Sequence, residues 1–185
     1  MYKYKYGLLK QIATHIKHGG IIAYPTESCY GFGCDPFNQK TLRKIIQLKS
    51  RSNRKGMICI ASKFKQLDRL INPISDEKLL KINQYWPGFY SLLLQANKKV
   101  PKLLLGQHEC IVTRISTHNE VKQLCDYLNM ALVSTSANKS GMKSIKSYRE
   151  CVRQFGDMIM VLPGIIGFAR NPSTIIDFTT MRKLR

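Results

Sequence analysis

The sequence predicts a single α/β domain, a twisted, open, mixed sheet with flanking helices. Three observations carry this. Short apolar runs of strand length alternate with stretches whose apolar residues recur at helical spacing. Glycine and proline mostly fall between these runs, where they punctuate turns. The 185 residues, 44% of them hydrophobic, suffice for one core without disulfide or metal support, so the domain is set at residues 1–185.

The elements follow in order. Leu8-Leu9, Ile12-Ala13 and Ile16 form a helical stripe that Gly19-Gly20 ends, and Ile21-Ile22-Ala23-Tyr24 is a buried strand stopped by Pro25. The polar stretch at 24–33 reads as a turn with two glycines. Leu42, Ile45-Ile46 and Leu48 make the next helix, followed by a strand at 57–61. Leu79-Leu80 and Ile82 lie on a helix broken by Pro87-Gly88. Further strands are expected at 90–95, 111–115, 131–134, 158–162 and 174–178, with helices near 119–129 and 147–155. The sheet is expected to be mixed, because no clear helix separates Leu92-Leu93-Leu94 from Ile111-Val112.

Charge and composition narrow the function. Lys and Arg number 30 against 11 Asp and Glu, a net +19, and such a field draws nucleic acid, nucleotides or acidic surfaces. No apolar run approaches the roughly 18 residues of a membrane span. The six cysteines form no CxxC pair and follow no signal peptide, so they read as buried free thiols in a reducing cytoplasm. His15, His18, His108 and His118 lack the partners of a zinc site, and no metal ligands are assigned.

Four polar features carry the chemistry. Lys49-Ser50-Arg51-Ser52-Asn53-Arg54-Lys55 crowds cations into a short loop, which calls for solvent or for an anion such as phosphate. Ser28 lies in the turn after the first strand, beside Glu27. Ser134-Thr135-Ser136-Ala137-Asn138-Lys139-Ser140-Gly141 offers hydroxyls and amides that suit either helix capping or phosphate oxygens. Arg114, flanked by apolar strand residues, needs a carboxylate or phosphate if it points inward. There is no GxxxxGK[ST], no third glycine after Gly31-Phe32-Gly33, and no GxSxG. What remains is an electrostatic site.

Taken together, Tyr24-Pro25-Thr26-Glu27-Ser28-Cys29-Tyr30-Gly31, Leu48-Lys49-Ser50-Arg51, Trp86-Pro87-Gly88, Arg114, the 134–141 cluster and Asn171-Pro172-Ser173-Thr174-Ile175-Ile176-Asp177 resemble the YrdC/TsaC family of threonylcarbamoyl-AMP synthases, in the same order over about residues 7 to 185. The resemblance implies a YrdC-like fold and a nucleotidyltransferase that joins L-threonine, bicarbonate or CO2, and ATP, with Mg²⁺, into threonylcarbamoyl-AMP and diphosphate for tRNA modification. It implies Lys49 and Arg51 as catalytic cations. Lys49, Arg51, Lys55, Ser136, Asn138, Ser144 and Arg185 would contact ATP, and Ser28, Arg114, Ser134 and Ser173 would hold threonine. Glu27 is a candidate acceptor of the amine proton.

Two departures stand out. Ser52 occupies a position where the family usually has proline, and Ile60 one where many long members have histidine. The extra C-terminal domain of long members is not expected here, so separate threonylcarbamoyl-transfer proteins would pass the product to tRNA. Two other readings remain: a non-catalytic module binding tRNA or double-stranded RNA, prompted by the charge, and a carbamoyl-transfer domain of the hydrogenase-maturation type.

Overall fold

The computed structural model describes residues 3–185, so the first two positions of the expected domain lie outside the described residues. In α1 (Tyr6–Lys17), Ile12 and Ile16 fall four apart on one buried stripe. Gly19, at φ +77°, turns the chain toward β1 (Ile22–Pro25). α2 (Gln39–Leu48) is started by Asn38, whose side chain accepts from the Thr41 N–H at 3.1 Å. β3 (Ile58–Ala61), α3 (Asp76–Ile82) and β4 (Tyr90–Gln95) follow. Then come α4 (Lys102–Leu105), β5 (Cys110–Ile115), α5 (Asn119–Leu128) and β6 (Leu132–Ser136). The chain closes with α6 (Tyr148–Phe155), capped by Ser147, then β7 (Met160–Val161) and β8 (Thr174–Asp177).

β2 (Tyr30–Gly33) corrects the sequence reading, which runs this stretch into one polar turn. The turn is confined to the residues between β1 and β2. The glycines serve close approach: a Cβ at Gly33 would lie 2.5 Å from the Tyr24 ring, while Tyr30 and Phe32 are fully buried on the opposite face. α4 and a short 3-10 turn at Phe64–Leu67 also escape the sequence reading, being too short to show a period.

The eight strands make one sheet in the order β7-β1-β2-β6-β3-β5-β4-β8. β1–β7, β3–β5 and β4–β8 pair in parallel; β1–β2, β2–β6, β3–β6 and β4–β5 are antiparallel. The expected mixed order is therefore present, with the antiparallel β4–β5 step where no long helix intervenes.

Each face of the sheet has its own core. On one, Ile12 and Ile16 of α1 and Val121 and Leu124 of α5 pack over Ile22, Tyr24, Ile60 and Leu132. On the other, Leu42 and Ile45 of α2, Ile82 of α3 and Phe155 of α6 cover Phe32, Cys59, Leu92 and Val133. Phe32 and Phe155 meet edge to face at 4.9 Å. Strand alternation carries the first face onward from Ile60 to Ile58 and from Leu132 to Ser134. The α1–α5 layer ends there, and a cavity begins.

Candidate active site

The cavity measures about 250 Å³ and is floored by neighbouring strands. Gly31 stands opposite Ser136, and Ile58 stands between Ser134 and Val112. A Cβ on Gly31 would make ordinary contact with Ser134 Oγ at 3.4 Å. Ser28 and Cys29 enter from the β1–β2 turn, which Thr26 closes by donating its N–H and hydroxyl to the Cys29 carbonyl at 3.0 and 2.7 Å.

Arg114 lies at one end with its guanidinium buried. Its Nη2 donates to Glu27 Oε2 at 2.6 Å, and the Phe89 ring centroid lies 5.2 Å from Cζ. The inward arginine thus finds the carboxylate that its strand position demanded. Ser173 joins the same end: its hydroxyl shares a 2.7 Å hydrogen bond with Ser91, and its carbonyl accepts from Arg185 Nε and Nη2 at 3.3 and 3.1 Å. Burial, with Arg114 nearby, lowers the pKa of Arg185 below its ordinary value.

Arg51 lies at the opposite end. Its Nη2 donates to the Gly56 carbonyl at 2.8 Å, while its buried Nε has no protein acceptor. A guanidinium that lines a cavity and spends one bond on protein has further donors suited to an anion. The loop that carries Arg51 is built by local bonds: Ser50 takes a left-handed φ of 48°, the Ser52 carbonyl accepts from the Lys55 N–H at 3.2 Å, and the Ser52 hydroxyl accepts from the Arg54 N–H at 3.3 Å. Serine thereby supplies by side-chain hydrogen bonding some of the turn stiffness that proline would supply covalently.

Ser28, Arg51, Arg114, Ser134, Ser136, Ser144, Ser173 and Arg185 all line the cavity. Lys49, Lys55 and Asn138 do not. Lys49 is only 2% exposed; its ammonium donates to the Ser136 carbonyl, to the Asn138 carbonyl at 2.9 Å and to Asn138 Oδ1 at 3.4 Å. Burial chiefly, and Arg51 second, pull its pKa from 10.5 to about 8. Asn138 is spent locally, its amide donating to the Lys139 and Met142 carbonyls at 2.9 and 2.6 Å. Lys55 is exposed and pairs through its backbone with Gly106.

Sequence reasoning misses Phe89, Val112, Ile58 and Ser116, although alternation along β5 puts Val112, Arg114 and Ser116 on one side. It also mistakes Cys29 and Cys110 for buried thiols; both are half-exposed, and Cys29 lines the cavity, its thiol pKa raised by burial. Cys34, Cys59, Cys125 and Cys151 are buried as expected. Among the described residues, no three or more of His, Cys, Asp and Glu gather in a group that could hold a metal ion.

The Sua5/YciO/YrdC family model, described as "Telomere recombination", matches residues 14–185. The chain belongs to that family. A relative from Chromobacterium violaceum named threonylcarbamoyl-AMP synthase is 44% identical over 178 residues, covering 96% of this chain and 92% of that one. Another of the same name, from Methylobacillus flagellatus, is 45% identical over 165 residues, covering 89% and 92%. Among solved structures, P. abyssi Sua5 complexed with L-threonine superposes with a TM-score of 0.87 at 25% identity, over 96% of this chain and 53% of that one. The chain thus spans about half of that Sua5 chain. The likeness accounts for the YrdC-like fold expected from the sequence, and neither curated relative is named as an RNA-binding module. No helix among the described residues is long and apolar enough to cross a membrane.

Proposed function

We propose that this chain is a threonylcarbamoyl-AMP synthase, a nucleotidyltransferase that makes L-threonylcarbamoyladenylate and diphosphate from L-threonine, CO2 or bicarbonate, and ATP. The single observation that carries the reading is the cavity's polarity: Arg114, buried and braced by Glu27, lines it with Ser28, Ser134 and Ser173, and a second guanidinium, that of Arg51, lines it as well. The first suits a small zwitterion and the second a polyphosphate.

In this reading the threonine carboxylate meets Arg114, while Ser28, Ser134 and Ser173 address its other polar groups. The amine adds to CO2 and loses a proton, giving a carbamate. A carbamate oxygen then attacks the α-phosphorus of ATP, and the bond to the bridging oxygen breaks, releasing diphosphate. The protein supplies no covalent nucleophile; it neutralises charge on the phosphoryl oxygens and the leaving group through Arg51, Lys49 and Arg185. Ser136, Asn138, Ser144 and Lys55 are assigned to the nucleotide side. For Lys49, that role requires its ammonium to exchange at least one of its carbonyl partners for a phosphate oxygen. The residues present do not form a cage for Mg²⁺, which would travel on phosphate oxygens and water.

The product is a mixed anhydride, so it has to be consumed by group transfer; the reading places that transfer on tRNA, through separate proteins, in the cytoplasm. The test is diphosphate release from ATP with threonine and bicarbonate each omitted in turn. Release that needs both supports the reading, and no release from folded protein at saturating substrates overturns it.

A further inference from the structure

Glu27 sits in the β1–β2 turn, and both of its carboxylate oxygens are engaged. Oε2 accepts from Arg114 Nη2 and Oε1 from Ser116 Oγ, each at 2.6 Å. The Arg114 and Glu27 side chains are 7% and 14% exposed, and Ser116 is 1% exposed. Ser116 is committed in turn, its hydroxyl oxygen accepting from the His118 N–H at 3.0 Å. The turn is also held from behind. The Thr26 and Glu27 carbonyls accept from the Gly167 and Ala169 N–H groups at 2.9 and 3.0 Å, and a Cβ at Gly167 would come within 2.8 Å of the Glu27 carbonyl oxygen.

A guanidinium offers five N–H donors in a rigid fork. Glu27 takes one, which sets the rotation of the group, and the remaining donors have no other acceptor among the described residues on a wall of the cavity. We propose that Glu27 is a positioning residue for the amino-acid substrate: braced by Ser116, it fixes the orientation in which Arg114 presents its free donors to the substrate carboxylate. This rests on the reading of the cavity as a threonine site and deepens it. It also gives Glu27 a different task from accepting the amine proton, one that its bonds to Arg114 and Ser116 serve.

The test measures threonine affinity by calorimetry and, separately, kcat and the KM values for threonine and ATP from diphosphate release, in wild type, Glu27→Gln, Ser116→Ala and Ser116→Thr. Glu27→Gln is expected to raise both threonine Kd and threonine KM by roughly tenfold or more, leaving the ATP KM unmoved and kcat within about threefold. Ser116→Ala moves threonine affinity the same way by a few-fold, and Ser116→Thr, which keeps the hydroxyl, restores it. A merely structural role would lower stability without separating threonine from ATP.

Unchanged threonine Kd in folded Glu27→Gln overturns the proposal. So does a fall in kcat of about a hundredfold at unchanged threonine Kd, which makes Glu27 the base. If Glu27→Gln does not fold, the Ser116 pair decides, and equal threonine affinity in both overturns it. Wild type that binds threonine but releases no diphosphate sinks the synthase reading and leaves the calorimetric test of Glu27 standing. Wild type that binds no threonine sinks both.

Discussion

The Lys49 ammonium lies 2.9 Å from the carbonyl oxygen of Asn138, at the junction where the end of α2 meets the loop after β6. The junction is tied in both directions, because the Lys49 carbonyl accepts from the Ser140 N–H at 2.7 Å. Lys49 is thus the peg that holds the 136–140 loop and, in the proposed reaction, a cation for the phosphates. Lys49→Met keeps the apolar stem, removes the charge and takes the ammonium donor from the Ser136 and Asn138 carbonyls, of which the first still accepts from the Asn138 N–H at 3.0 Å. Single-turnover diphosphate release should fall by about 10²–10³, and thermal unfolding should show whether the loop loosens as well.

The depressed pKa of Lys49 gives a signed pH dependence. The folded value is about 8, against 10.5 for an unperturbed lysine. Below pH 8 both folded and unfolded chains hold the proton. Between those values the unfolded chain holds a proton the folded chain has lost, so this group's contribution to stability rises with pH. The stability of wild type relative to Lys49→Met should therefore increase from pH 8 to pH 10, while kcat/KM for ATP declines above pH 8 as the cation is lost.

Ser91 is fully buried in β4, and its hydroxyl meets that of Ser173 at 2.7 Å. Ser91→Ala leaves the Ser173 hydroxyl free to turn away from the cavity. A few-fold rise in threonine KM with no change for ATP is expected, with a stability loss of about 1 kcal/mol. Steady-state kinetics with each substrate varied in turn, beside a thermal melt, checks both.

Gly106 anchors the basic loop from below. It has φ +68°, and a Cβ there would lie 2.4 Å from the Arg54 carbonyl oxygen and 2.7 Å from the Gly56 nitrogen. Gly106→Ala should cost about 1–3 kcal/mol through strain and forced backbone movement. The displaced loop carries Arg51, so ATP KM should rise although position 106 is no part of the cavity wall. An ATP KM unchanged in the folded variant would separate the anchor from the loop's function.

Long elements were legible because their burial is periodic: Ile12 with Ile16 on α1, Val121 with Leu124 on α5, and the apolar runs of β4 and β5. β2 was not, because its glycines read as turn residues, whereas Gly33 gives room to the Tyr24 ring. In the site, Arg114 announced itself as a charge inside an apolar strand, but its partner Glu27 is 87 positions away, and pairing across such a separation is a property of sheet order. The roles of Lys49 and Asn138 were hidden for a related reason. A cationic loop in a sequence does not reveal which of its cations turns back onto backbone carbonyls.

β8 is the last strand of the sheet, paired with β4 on one side and covered on the other by residues 182–185, which bridge to it at Ile176 and Lys183. Edge strands are the ones that open first in local fluctuations. When β8 lifts, Ser173, Ile175 and Arg185 leave with it, while Arg51 and the β6 loop stay in place, so the cavity walls differ in permanence. Threonine would then act as a fastener, binding the closed form and slowing amide hydrogen exchange across residues 174–177.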